Sequence, residues 1–251
     1  MGVPPKWYSQ LSAIGLSILA GMSTKPDDIF TLSVIGRGNT VAYGSPVLIF
    51  GASGRTGRLL VEQALSAGHT VTAFVRNRGN LSARHPRLHI IEGDVLNPDA
   101  VDAAMLGQRA VVSALGFSGR KGTESLVKAM ENIVAAMRKY RVHRLICLAP
   151  PPAREGWARR GLLRRLLSLF LPKDPAIPAW ERQLDSIRGS PLEWVLVRPT
   201  RLTDEPARGT YHVSVGWAEV PEGISRADVA MFMLEQLQGR RYVRLSPVLG
   251  G

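Results

Sequence analysis

From residue 46 onward the apolar positions fall into short runs separated by stretches of helical spacing. Val47-Leu48-Ile49-Phe50 contains no polar residue, the pattern of a strand buried on both faces. Leu59, Leu60, Ala64 and Leu65 then share one face of a helix that Gly68 ends. Residues 71–75 and 88–91 read as a second and third strand, 98–106 as a short helix and 110–115 as a fourth strand. A longer helix over about 123–140 carries the apolar stripe Leu126, Met130, Ile133, Val134 and Met137, and a fifth strand follows at 145–149. A helix at 178–188 and a strand at 194–197 make a sixth unit. The remainder predicts a small strand at 211–215, a helix at 226–237 and a last strand at 242–245. Repeated strand–helix units of this length close with right-handed crossovers into a parallel sheet covered on both faces. The expected fold class is therefore α/β, a doubly wound, mostly parallel sheet of the Rossmann type, in a single domain over 46–251.

Two segments depart from this rhythm. Residues 1–45 carry an uncharged stretch, 7–24, whose apolar core is far shorter than the roughly 20 residues of a spanning helix. They predict an N-terminal extension, disordered or the product of an over-long start site, with only a faint likeness to a secretory signal. Residues 153–178 form a basic insertion. Within 161–171 a helical wheel gathers Leu162, Leu163, Leu166, Leu167 and Phe170 opposite Arg164, Arg165 and Ser168. Three roles stay open for this amphipathic helix: packing on the domain, a lid over a substrate pocket, or, less favoured, contact with an anionic membrane surface.

Charge alters the picture little. Lys and Arg number 32 against 20 Asp and Glu, a net charge of +12 that suits a polyanionic ligand. No helix-turn-helix, zinc spacing or RNP-like aromatic motif accompanies it, so nucleic acid is not an expected partner. The one cysteine, Cys147, lies in an apolar run and reads as core; no disulfide framework exists and a reducing, cytoplasmic location is expected. None of the five histidines has a ligand-spaced companion, so no metal site is expected.

The candidate chemistry begins at Gly51-Ala52-Ser53-Gly54-Arg55-Thr56-Gly57, between the first strand and the first helix. Gly51 permits the tight turn, Gly54 lets backbone approach a pyrophosphate, and Gly57 allows the helix to pack closely. The helix N-terminus presents unpaired N–H groups and the positive end of its dipole to the anion. Ser53 and Thr56 belong to the same loop. An acid at the end of the second strand would hold the ribose 2′-hydroxyl of NAD; instead Val75 is followed by Arg76-Asn77-Arg78. Arg76 and Arg78, with Arg55 in the loop, match a 2′-phosphate, so NADP is expected over NAD. Asp94, after the third strand, either accepts from the adenine amino group or caps the following turn.

With these residues the chain resembles an atypical short-chain dehydrogenase of the NAD(P)H-binding, NmrA-like group, and most of all its biliverdin reductase B/flavin reductase branch. The matching segments are 51–57, 75–76, 93–95, 115–116, 132–137, 197–199 and 224–229. The resemblance implies that Asp94 and Val95 contact adenine and that Leu115 and Gly116 line the cofactor. It also implies that Ala149, Pro150, Pro199 and Thr200 flank the nicotinamide, with Leu202 behind that wall and Arg201 facing the substrate.

Ordinary short-chain dehydrogenases use a Tyr-x-x-x-Lys pair, the lysine lowering the tyrosine pKa. Here Tyr8, Tyr43, Tyr140, Tyr211 and Tyr242 are followed four residues on by Ser12, Val47, Arg144, Val215 and Ser246. The end of the fifth strand reads Leu148-Ala149-Pro150, with no hydroxyl. Carbonyl reduction is disfavoured. Hydride transfer from NADPH to a flavin, quinone or other conjugated acceptor asks mainly for orientation and electrostatics. Arg201 is the one weak catalytic candidate, unless it forms a salt bridge with Asp204. The alternatives are a non-catalytic NADP-binding redox sensor or regulator, and an epimerase or isomerase with tightly held cofactor.

Overall fold

The structure, a computed structural model, describes residues 41, 42, 44–116, 120–150, 184–215 and 220–251, with side chains of 120–123 excepted. The uncharged stretch 7–24 and the basic insertion 153–178 lie outside these residues.

The first half alternates strictly: β1 (Pro46–Phe50), α1 (Arg55–Ser66), β2 (Thr70–Val75), β3 (Leu88–Glu92), α2 (Pro98–Met105), β4 (Ala110–Ser113), α3 (Arg120–Lys139) and β5 (Arg144–Leu148). Residues 184–188 are helical and lead into β6 (Glu193–Pro199). The C-terminal part holds β7 (Leu202–Thr203), β8 (His212–Ser214), β9 (Ile224–Ser225), α4 (Arg226–Glu235) and β10 (Val248–Gly250). The main sheet runs β3-β2-β1-β4-β5-β6-β10-β8, and β7 pairs with β9 in a separate parallel ribbon. Every neighbouring pair in the main sheet is parallel except β10 with β8.

The polar-free run in β1 follows from its central place. Val47 and Ile49 join the core under α1 and α4, with Leu60, Val61, Ala64, Val229 and Phe232. Leu48 and Phe50 point to the opposite core, with Met130, Ile133 and Met137 of α3. Period-two alternation therefore buries both faces of the strand. The chain order reverses at β1, with β2 on one side and β4 on the other; ligands of open α/β sheets lie at the strand carboxyl ends at this crevice.

Two expectations need revision. The folded domain takes in Val41, which is buried and donates its N–H to the Leu237 carbonyl at 3.3 Å. The last strand is Val248–Gly250 rather than 242–245. Residues 241–244 are a turn with Arg244 in the left-handed region (φ 58°), and only Leu245 bridges to Val195. The left-handed residue closes that turn, and pairing with β6 begins there, Arg244 N–H donating to the Trp194 carbonyl at 2.7 Å and the register continuing to β10.

Candidate cofactor site

The loop 51–57 has the geometry its glycines imply. Gly51 sits at φ 73°, and a Cβ there would lie 2.6 Å from the Ala114 carbonyl oxygen. A Cβ on Gly57 would lie 2.0 Å from the Gly51 oxygen, so α1 starts in contact with the turn backbone. Gly54 donates to the Gly51 carbonyl at 3.0 Å and occupies the N-cap of α1 with no side-chain cap. The first turn also lacks an acidic residue. Its N–H groups have no intrahelical acceptor, while buried Thr56 and half-buried Ser53 line the same turn. An uncapped helix start over a cradle that any Cβ would fill suits a pyrophosphate, so these residues fit a dinucleotide.

On the β2 side, Arg76 is exposed at the strand end and has no ion pair or hydrogen bond among the described residues. Arg78 is differently placed. Its guanidinium donates to the Ile90 carbonyl at 2.6 Å and its main-chain N–H to Glu92 Oε2 at 2.9 Å. Asp94 accepts the Leu96 N–H at 3.0 Å and so closes the turn after β3, whereas the N-cap of α2 is Asn97, which accepts from Asp99. The position of Val95 depends on a residue that sequence reasoning did not single out by itself. Asn132 of α3, buried, donates to the carbonyls of Val95 at 3.0 Å and Leu96 at 3.1 Å. A lone amide in an otherwise apolar helix stripe was the available signal.

On the other side of β1, half-buried Leu115 packs on the α3 core and Gly116 opens to free space. Ala149 is buried and donates to the Val197 carbonyl at 2.8 Å, joining the ends of β5 and β6. Arg198, also buried, holds the Pro150 carbonyl at 2.8 Å. Pro199 ends β6 in the buried layer. The Thr200 hydroxyl accepts from Gly223 N–H at 3.1 Å and donates to the Pro221 carbonyl at 3.3 Å, which commits it to structure. Leu202 packs into the core, while Arg201 and Thr203 line a polar cleft of about 120 Å³ with Arg208, Thr210 and Glu222. Arg201 has no ion-pair partner among the described residues.

The expected Arg201–Asp204 salt bridge is not formed. Alternation along β7 turns Asp204 to the opposite side from Arg201, where it pairs with Arg226 at 2.6 Å and Arg55 at 3.1 Å. Arg226 is nearly buried at 10% side-chain exposure, so Asp204 supplies its counter-charge. Arg55 is thus paired with the residue that follows β7. Asp228 falls within the matching segment 224–229. Its carboxylate accepts the N–H groups of Arg208 at 3.0 Å and Gly209 at 2.9 Å, fixing the loop beyond β7, and the Ser225 hydroxyl donates to it at 2.7 Å.

Cys147 is buried, and desolvation pushes its thiol up to about 12. Among the described residues no cluster of His, Cys, Asp and Glu could hold a metal ion, and no helix is long and apolar enough to cross a membrane.

Comparison with known proteins agrees with this geometry. The model of the NAD(P)H-binding family matches residues 51–240. An uncharacterised chloroplastic protein of Arabidopsis thaliana is 28% identical over 215 residues, covering 80% of this chain and 75% of that protein. A Rossmann-fold NAD(P)-binding family protein of Shigella flexneri is 25% identical with a TM-score of 0.66, over 82% of this chain and 93% of the other. The anaerobillin reductase of Escherichia coli O157:H7 is 19% identical with a TM-score of 0.66, over 82% and 97% respectively, a likeness of fold.

Proposed function

Because this chain belongs to the NAD(P)H-binding family, we propose that it is an NADPH-dependent reductase of the atypical short-chain type, passing hydride to a flavin, quinone or other conjugated acceptor. The observation that carries the reading is the pairing of an uncapped, glycine-cradled helix start with an arginine at the end of β2 that has no partner among the described residues. When bound, NADPH supplies the hydride. Main-chain N–H groups of the first turn of α1 hold its pyrophosphate, and Arg76 holds the 2′-phosphate. Arg78 contributes through its long-range charge, since its guanidinium is engaged by Ile90. Val95, fixed by Asn132, and Asp94 border the adenine. Ala149, Pro150, Pro199 and Thr200, backed by Leu202, form the nicotinamide wall, with Leu115 and Gly116 on its near side.

The acceptor class follows from what the wall lacks. Among the described residues the Thr200 hydroxyl of the wall is committed to Gly223 and Pro221 and does not serve as an acid toward a substrate alkoxide, and an acceptor that spreads charge over its own rings needs none. Arg201, with no counter-ion among the described residues, stabilises the negative charge that develops on such an acceptor. The fold shared with an anaerobillin reductase supports this choice by analogy. The same commitment of the Thr200 hydroxyl supports a second reading, a non-catalytic NADP-binding sensor. A cytoplasmic location accords with the cofactor.

Fluorescence titration with NADPH and NADH, followed by absorbance at the nicotinamide band with flavins and quinones added, separates the readings. Oxidation of NADPH supports the reductase; binding without oxidation of any acceptor selects the sensor. Arg76→Gln is expected to weaken NADPH about 10- to 100-fold, the value of one or two charge-assisted hydrogen bonds, and to leave NADH unchanged. Equal loss for both cofactors overturns the role of Arg76.

A further inference from the structure

The outer edge of the sheet carries a second feature that shares only Arg78 with the cofactor reading. Arg78, Ala83, Arg84, His85, Leu88, His89 and Ile90 line a cleft of about 430 Å³. The cleft follows the N-terminal half of β3, whereas the cofactor reading occupies the carboxyl ends of the strands. Its lining offers donors in several forms. Arg84 is exposed with no partner among the described residues. Nδ1 of His85 accepts the Arg87 main-chain N–H at 3.1 Å, which leaves the proton on Nε2 as an outward donor even in the neutral ring. His89 is exposed and likewise without a partner among the described residues.

The strand edge adds to this. β3 bonds to β2 through residues 87 to 93 at odd positions, shown by Val71 N–H to Arg87 and Gly93 N–H to Val75, so Leu88, Ile90 and Glu92 turn their main-chain groups outward. The Leu88 N–H is taken by the His85 carbonyl at 3.0 Å and the Ile90 carbonyl by Arg78, which blunts the edge against another strand. The Ile90 N–H is left facing the cleft.

Charge around the cleft is uncompensated. Arg78 and Arg87 each donate to neutral carbonyls, of Ile90 and Leu65, and neither of them, nor Arg84, pairs with a carboxylate among the described residues. Glu92, the nearby acid, accepts a main-chain N–H. A lining that joins the donors of Arg78, Arg84 and the two histidines to apolar Ala83, Leu88 and Ile90, without a carboxylate, suits an anion with an apolar body. We propose that this cleft is a second binding site, for a small organic carboxylate, sulfonate or phosphate, separate from the dinucleotide.

The probe is 1-anilinonaphthalene-8-sulfonate, titrated by fluorescence into the full chain with NADP⁺ saturating; the readout needs no turnover and so stands apart from the reductase reading. One equivalent is expected to bind, and inorganic phosphate to displace it more strongly than sodium chloride at equal ionic strength. The exposed double substitution Arg84→Gln with His89→Gln is expected to raise its dissociation constant about tenfold or more, while Arg58→Gln, which lies outside the lining, leaves it unchanged. Dye binding that NADP⁺ abolishes, or that the double variant does not weaken, overturns the proposal.

Discussion

Gly57→Ala tests the link between loop geometry and cofactor binding most directly. The added Cβ would stand 2.0 Å from the Gly51 oxygen, 2.8 Å from its carbonyl carbon and 2.9 Å from the Ala52 Cα. All three are backbone atoms, so no side-chain rotamer relieves the contact. Restoring an ordinary separation requires the start of α1 to withdraw by about 1 Å, because a carbon–oxygen contact much under 3 Å is not tolerated. A hydrogen bond from a first-turn N–H to a pyrophosphate, ordinarily about 2.9 Å, would then stretch to about 3.9 Å and be lost. Two charge-assisted bonds at roughly 1.5–3 kcal/mol each give about 3–6 kcal/mol, or about 10²- to 10⁴-fold in affinity. The assay is NADPH titration by fluorescence, with circular dichroism to confirm that the variant is folded at the titration temperature. A folded Gly57→Ala protein binding NADPH within about threefold of the parent would refute the reasoning, since the helix start would then not be what holds the phosphates.

Three further perturbations probe the scaffold. Arg144, 3% exposed at the start of β5, caps the end of the last helix through the Gln236 and Gly239 carbonyls and faces Glu193 at 3.6 Å. Arg144→Met should cost about 3–5 kcal/mol by urea denaturation, with NADPH affinity unchanged because the proposed cofactor site lies at the other end of the sheet; a loss under about 1 kcal/mol contradicts it. Cys147, with its thiol pushed up to about 12, should resist an aromatic disulfide reagent at neutral pH and react only on unfolding. His69 is buried, with Nδ1 3.3 Å from the Ser45 carbonyl, and burial lowers its pKa below the ordinary 6.5. The folded state therefore favours the neutral ring, so its contribution is present above about pH 6.5 and lost as pH falls toward the folded value. His69→Gln should flatten that part of the stability–pH curve, and an unchanged slope would exclude the group.

The strand–helix alternation and the phosphate loop were legible from residue order because their signals are local. A strand buried on both faces must be apolar throughout, as 47–50 is, and a turn that brings a helix start against its own backbone must be glycine at 51 and 57. Arg76 was legible for the same reason, one residue beyond a strand end. What depended on distant partners was not. Arg55, Arg76 and Arg78 look alike in sequence, yet one pairs with Asp204, 149 residues away, one is unpartnered among the described residues, and one clasps the edge of β3. Arg201 and Asp204 lie three apart and suggested a salt bridge; strand alternation turns them to opposite sides. Asn132 became a clamp only when α3 packed beside the turn after β3. The last strand lies at 248–250 instead of 242–245 because 241–244 form a turn with Arg244 in the left-handed region, which the residue pattern does not reveal. Periodicity and glycine placement are properties of the chain, whereas the partner of a charge is fixed by which elements the folded sheet brings together.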